Sequence, residues 1–114
     1  MATRRIVALA EAAALRSSWQ WKVGAVIYRG SVILSIGTND HLKTSPRSWH
    51  QFNARHAEFN AISKLSEYSL KGASIYVHRV GRDGLTHNAK PCPACEKMLA
   101  WSEIKRVEWS EDPI

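Results

Sequence analysis

The chain has 114 residues, is 45% hydrophobic and 23% charged, and carries a formal charge of +6. That is ordinary globular composition for one domain over 1–114 with a small core, without repeats, low-complexity tracts or any stretch long enough to span a membrane. The basic balance points to an anionic partner, a nucleotide phosphate and a polynucleotide fitting it equally, with a merely solvated basic surface as the plain alternative.

Arg4-Arg5 followed by Ile6-Val7-Ala8-Leu9-Ala10 has the opening of a signal peptide. Glu11 interrupts the apolar run, and no small-residue cleavage site follows. An amphipathic helix is expected instead, with Ile6, Leu9, Ala10, Ala13 and Ser17 on one face. Val23–Tyr28 reads as a strand, Arg29-Gly30-Ser31 as a tight turn and Val32–Ile36 as a second strand, which makes a hairpin. A long polar loop over 37–55 follows, holding Pro46 and Trp49; loops of that length are usually functional. Ala57, Phe59, Asn60, Ala61, Ile62 and Leu65 then give a helical pattern that starts near His56. Ala73–His78 reads as a third strand, Gly81–Gly84 as a turn, and the segment after Pro91 as a helix ending near Trp101. Ile104–Trp109 reads as a fourth strand. The order α-β-β-α-β-α-β implies an α/β fold with a mixed sheet and helices on its faces, the long loop and two helix starts meeting at one rim.

Three pieces carry chemistry: His56-Ala57-Glu58, Pro91-Cys92 and Cys95. One imidazole and two thiolates are three zinc ligands that leave a fourth position for water, and zinc makes water nucleophilic at neutral pH. C-x-x-C at a helix start places two sulfurs on one metal; Pro91 suits such a start, and the helix N-terminus favours thiolate. Glu58, two residues from the imidazole, is placed to move protons rather than to ligate. A lone C-x-x-C or H-x-E is weak; together, in this order and with a proline before the first cysteine, they are specific. Both cysteines of the chain lie in the motif, which suits a reducing cytoplasm. Three plainer readings stand beside this one. The cysteines fit a redox dithiol. They fit a closed structural zinc site completed by His41, His50 or His87. Glu58 by itself fits a first-turn helix carboxylate.

This H-x-E…P-C-x-x-C pattern is the signature of the zinc nucleobase deaminases. Together with Val23-Gly24-Ala25-Val26-Ile27, Gly37-Thr38-Asn39, Phe59-Asn60-Ala61-Ile62, Ile75-Tyr76-Val77 and Pro93-Ala94, it makes the chain resemble the cytidine deaminase superfamily from about Val23 to Trp109. It is nearest to the deoxycytidylate and tRNA adenosine deaminase branch and to small bacteriophage members. The resemblance implies a three-layer α/β/α cytidine-deaminase-like fold with Zn2+ on His56, Cys92 and Cys95, and Glu58 as the proton shuttle. It implies that Asn39 bonds sugar or base, that the Ala57 backbone meets the base, and that Val23 packs near it. A basic loop residue, Lys43 before Arg47 or Arg55, with His50 weaker, would meet a phosphate. For Asn39 a turn role, for Val23 a core role and for each loop cation a solvated role compete.

Two departures stand out. Arg79 to Lys90 is an insertion relative to the family, able to line the substrate mouth or make subunit contacts. The chain also ends after the fourth strand, a C-terminal truncation that leaves an edge strand and implies a homo-oligomer. The reaction expected is hydrolytic deamination of a cytosine nucleotide, dCMP to dUMP first. Deamination of cytosine or adenine within single-stranded nucleic acid or tRNA is the second reading, for which Trp49 is the stacking candidate; Trp101 and Trp109 are expected to pack in the core or an interface. A non-catalytic zinc-binding interaction domain is the third.

Overall fold

The computed structural model describes residues 2–17, 22–39, 57–91 and 93–112. Helix α1 (Arg4–Leu15) begins at Thr3, whose Oγ1 accepts the Ile6 N–H at 3.3 Å. It buries Ile6, Ala10, Ala13 and Ala14, so its inner face is mostly alanine. That small-residue face lets α1 lie directly on the sheet: a Cβ at Gly24 would strike the backbone of Ala10 and Ala14.

Strands β1 (Lys22–Arg29) and β2 (Val32–Thr38) form the expected antiparallel hairpin, with Gly30 at φ 59° in its turn. A bulge between Ile27 and Tyr28 shifts the register. β2 runs two residues further than its apolar pattern suggests, because Gly37 and Thr38 still pair with Ala25 and Gly24. The long loop therefore starts later than position 37.

Strand β3 (Ser74–Val80) pairs antiparallel with β1. Its other edge is shared. β5 (Arg106–Trp109) runs parallel along Ser74–Val77, and the two-residue β4 (Thr86–His87) pairs antiparallel with Arg79 and Val80. The sheet is thus mixed and five-stranded. The strand that sequence reading omitted is β4, too short to show alternation.

Strand periodicity sorts side chains to two faces. Val26, Tyr28 and Tyr76 join Ile6 and Ala10 under α1. Ala25, Ile27, Ile75 and Val77 face the other way, against Ala57 and Ala61 of α2 (Ala57–Ile62), Leu70 of α3 (Glu67–Leu70) and Leu99 of α4 (Pro93–Trp101). The result is the three-layer α/β/α arrangement. The expected helix, patterned as far as Leu65, stops at Ile62, and the short α3 beyond it was not expected.

The insertion is a hairpin arm. Gly84, at φ 79°, closes its turn with N–H to Gly81 O at 3.0 Å. Its return is tied to the last described residues: Asn88 N–H to Asp112 Oδ1 at 3.0 Å, Ala89 N–H to Ser110 O at 2.9 Å, and Ser110 Oγ–H to His87 O at 2.7 Å. Of the core-or-interface expectation, Trp109 takes the core, half-buried against it, whereas Trp101 is 84% exposed and no core residue, because it falls on the outer side of the last turn of α4 while Leu99 takes the inner one. Among the described residues no helix is long and apolar enough to cross a membrane.

Candidate active site

Helix α2 is fastened to the end of β2 by close contact and by three side chains. A Cβ at Gly37 would lie 2.5 Å from both Ala57 O and Ala61 N, so only glycine allows the helix this near. Ser35 Oγ–H donates to Ala61 O at 2.8 Å, Asn60 Nδ2–H donates to Thr38 O at 2.8 Å, and Lys64 Nζ donates to Ile36 O at 2.6 Å. The first turn of α2, with buried Ala57 and Glu58, is thereby held over the sheet rim.

Glu58 is only 4% exposed. Its carboxyl is hydrogen-bonded by the Cys95 thiol, so the two motif halves meet in space although 37 positions apart. Burial pushes the Glu58 carboxyl up from its ordinary value, more than the bonds from its own backbone and from Cys95 pull it down. No described cation acts on it. Cys95 is itself buried on α4. The buried Cys95 sulfur suits a divalent metal, and the buried carboxyl beside it suits proton transfer.

His56 and Cys92 lie outside the described residues; in sequence each adjoins a buried neighbour, Ala57 and Pro91. Among the described residues no three ligating groups come together. Lys43, Arg47, Arg55, His41, His50 and Trp49 also lie outside them. His87, the described candidate for a fourth ligand, is occupied otherwise: Nε2 meets Asp83 Oδ1 at 3.0 Å and Nδ1 meets Asp112 Oδ1 at 3.3 Å. Its pKa is raised by the hydrogen bond to Asp83 foremost. His87 fastens the insertion to the C-terminal segment.

Asn39 sits at the same rim, where β2 ends, and is 7% exposed. Its N–H donates to Val23 O at 3.2 Å, its Oδ1 accepts the Val23 N–H at 3.0 Å, and its own carbonyl accepts Ser17 Oγ–H at 2.9 Å. Thr38 Oγ1–H also reaches Val23 O at 3.1 Å. Both readings of Asn39 and Val23 have a basis here. Asn39 ends the strand, and Val23 packs partly into the core beside α2. Sequence reasoning gave Ser17 and Asn60 places in helical patterns and neither a contact. The signal for Asn60 was a polar residue inside an otherwise apolar helical run.

The family model for the cytidine and deoxycytidylate deaminase zinc-binding region matches residues 2–111. Deoxycytidylate deaminases of the Enterobacteria phages T2 and T4 are 31% and 30% identical over 86 residues, 68% of this chain. The chain spans 40% and 39% of the length of those relatives. Among solved structures, apo dCMP deaminase from cyanophage S-TIM5 is similar at TM-score 0.64 and 27% identity, over 92% of this chain and 79% of that one. The same enzyme in complex with dCMP and dUMP gives 0.58 and 25%, over 96% and 83%. Cytidine deaminase from Burkholderia pseudomallei shares the fold, with TM-score 0.67 at 19% identity over 96% and 83%. With the family match running over nearly all its residues, and the two halves of the motif in contact, the chain belongs to the cytidine and deoxycytidylate deaminase family.

Proposed function

We propose that the chain is a zinc-dependent hydrolytic deaminase of a cytosine nucleotide, with dCMP to dUMP as its reaction, built as one domain over 1–114. The observation that carries this is the buried Glu58 carboxyl against Cys95. The relatives called deoxycytidylate deaminases, and the similar structure holding dCMP and dUMP, support the substrate.

His56, Cys92 and Cys95 would hold zinc, which supplies a water molecule made nucleophilic at neutral pH. Glu58 would accept a proton from the attacking water and deliver it to N3 of the ring while the water oxygen bonds to C4. It then moves the remaining hydroxyl proton to the amino group. The C4–N4 bond breaks, ammonia leaves, and the ring keeps a carbonyl at C4. Burial favours this role, because a carboxyl out of water accepts and holds a proton more readily than an exposed one. Asn39, held at the rim by Val23 through its Oδ1, is the side chain that meets sugar or base. The Ala57 backbone and Val23 line the base side, and Lys43 meets the phosphate. A homo-oligomer covering the sheet edges completes the reading.

The test is Glu58→Gln with metal analysis and ammonia release from dCMP, cytidine, dCTP and adenosine. The variant should keep zinc and lose turnover by about 10²- to 10⁴-fold. Wild-type protein that holds zinc and deaminates none of the four would refute the proposal. A pure binding module would be indifferent to the substitution.

A further inference from the structure

The end of the sheet opposite Glu58 and Asn39 gathers basic side chains from separate parts of the chain. α1 runs antiparallel to β1, since Ser17 beyond its last turn bonds Asn39 at the site end. Its first turn, with Arg4 and Arg5, therefore lies at the β1–β2 turn, where Arg5 Nη1 donates to Ser31 O at 3.2 Å. Arg29, the last residue of β1, donates through Nη2 to Ser69 O at 2.9 Å and Lys71 O at 2.7 Å. Gly72, next to Lys71, donates its N–H to Glu103 O at 3.0 Å. Lys105 N–H donates to Ala73 O at 2.7 Å, and Arg106 pairs with Ser74 at the start of β3. These contacts join Arg4, Arg5, Arg29, Lys71, Lys105 and Arg106 into one exposed surface.

Among the described residues the charge there is poorly offset. The described carboxylate side chains at this end are Glu103 and Glu108, and Glu108 already accepts the Tyr28 hydroxyl at 3.2 Å. Arg5 and Arg29 bond carbonyl oxygens, which orient a guanidinium without neutralising it. Stability alone disfavours the pattern: the first turn of α1 carries two arginines and no acidic residue, against the helix dipole. Beside this surface stands Trp101, 84% exposed and four positions before Lys105.

We propose that this end of the sheet binds single-stranded nucleic acid, with phosphates along the cations and an unpaired base stacked on Trp101. A free indole face suits an unpaired base, whereas a duplex hides its base faces. This surface is separate from the deaminase site and is read by binding alone, so it stands or falls independently of the proposed reaction.

The experiment is fluorescence anisotropy of a labelled oligothymidylate of about 20 nucleotides, titrated with the 114-residue chain between about 50 and 200 mM salt. Affinity should fall linearly on a log–log plot. The Lys105→Glu/Arg106→Glu double variant should weaken binding by at least about tenfold and flatten the salt slope by about 1.4, two single-strand phosphate contacts. Trp101→Ala should weaken binding with the slope unchanged. Arg82→Glu/Lys90→Glu, at the opposite end, should stay within about twofold of wild type. Thermal melts check that each variant is folded. No binding at the lowest salt, equal loss in both double variants, or equal affinity for a duplex would overturn the proposal. So would a Trp101→Ala variant that binds normally but sediments at a lower mass, since the indole would then serve self-association.

Discussion

Gly37→Ala tests whether the approach of α2 to β2 sets the site. The added methyl would sit 2.5 Å from Ala57 O and Ala61 N and 3.0 Å from Ala61 Cα. Ordinary carbon contacts lie near 3.5–4.0 Å, so α2 must retreat by about 1 Å. All three atoms are backbone, so no side-chain rotation can absorb the clash. Overpacking of this kind costs about 2–3 kcal/mol, which for a domain of this size lowers Tm by about 10 °C. The retreat also carries Glu58 away from Cys95, and a displacement near 1 Å costs about a hundredfold in rate. Gly24→Ala is the matched control, because its methyl meets the backbone of Ala10 and Ala14 on the far face. It should lose similar stability while the folded fraction keeps its turnover. The assays are urea denaturation with linear extrapolation, and ammonia release from dCMP at a temperature where both variants are folded. A Gly37→Ala variant within about 0.5 kcal/mol and twofold turnover of wild type would refute the reasoning.

Four further outcomes are expected. Cys95→Ala should abolish zinc retention, read by metal analysis after gel filtration, whereas His87→Ala should leave zinc content unchanged because that imidazole serves Asp83 and Asp112. Ser17→Ala removes the hydroxyl that holds the Asn39 carbonyl, and should raise KM for dCMP several-fold more than it lowers kcat. Asn39→Ala removes the oxygen that accepts from Val23, so Tm should fall, and kcat/KM of the folded fraction should fall as well; a loss confined to Tm would make Asn39 structural. Burial pushes the His78 pKa below its ordinary 6.5, against the opposing pull of Glu11, while its ring contacts are Tyr76 and Thr86. The unfolded chain therefore binds the extra proton first, so the stability from neutral His78 is complete above about 6.5 and is lost as pH falls below it. His78→Asn should flatten that part of the Tm–pH curve, and an unchanged curve would exclude His78 as its source.

Much of the fold and the site is legible in the residues alone. The motif residues announce themselves because metal chemistry restricts residue type so severely. The hairpin, β3, β5 and the first and last helices follow from periodicity that packing enforces on both sheet faces. What escaped was set by partners distant in sequence. β4 exists because β5 pairs β3 only along Ser74–Val77, which lets Thr86-His87 pair with Arg79 and Val80, not because Thr86-His87 prefers a strand. α3 separates from α2 after Ile62, a break the continuing apolar pattern to Leu65 concealed. Trp101 is no core residue because two positions, about 200° around the helix, separate it from Leu99, so Leu99 turns inward and the indole outward.

The sequence by itself determined the order of elements and the proposed donor set and carboxylate, since these depend on residue identity and short-range period. Only the tertiary structure decided that Glu58 lies against Cys95, that Asn39 is held by Val23 and Ser17, and that basic residues of α1, β1 and β5 share one end of the sheet. Those facts depend on strand register and on how closely helices approach at Gly24 and Gly37, which long-range packing selects and no local pattern encodes.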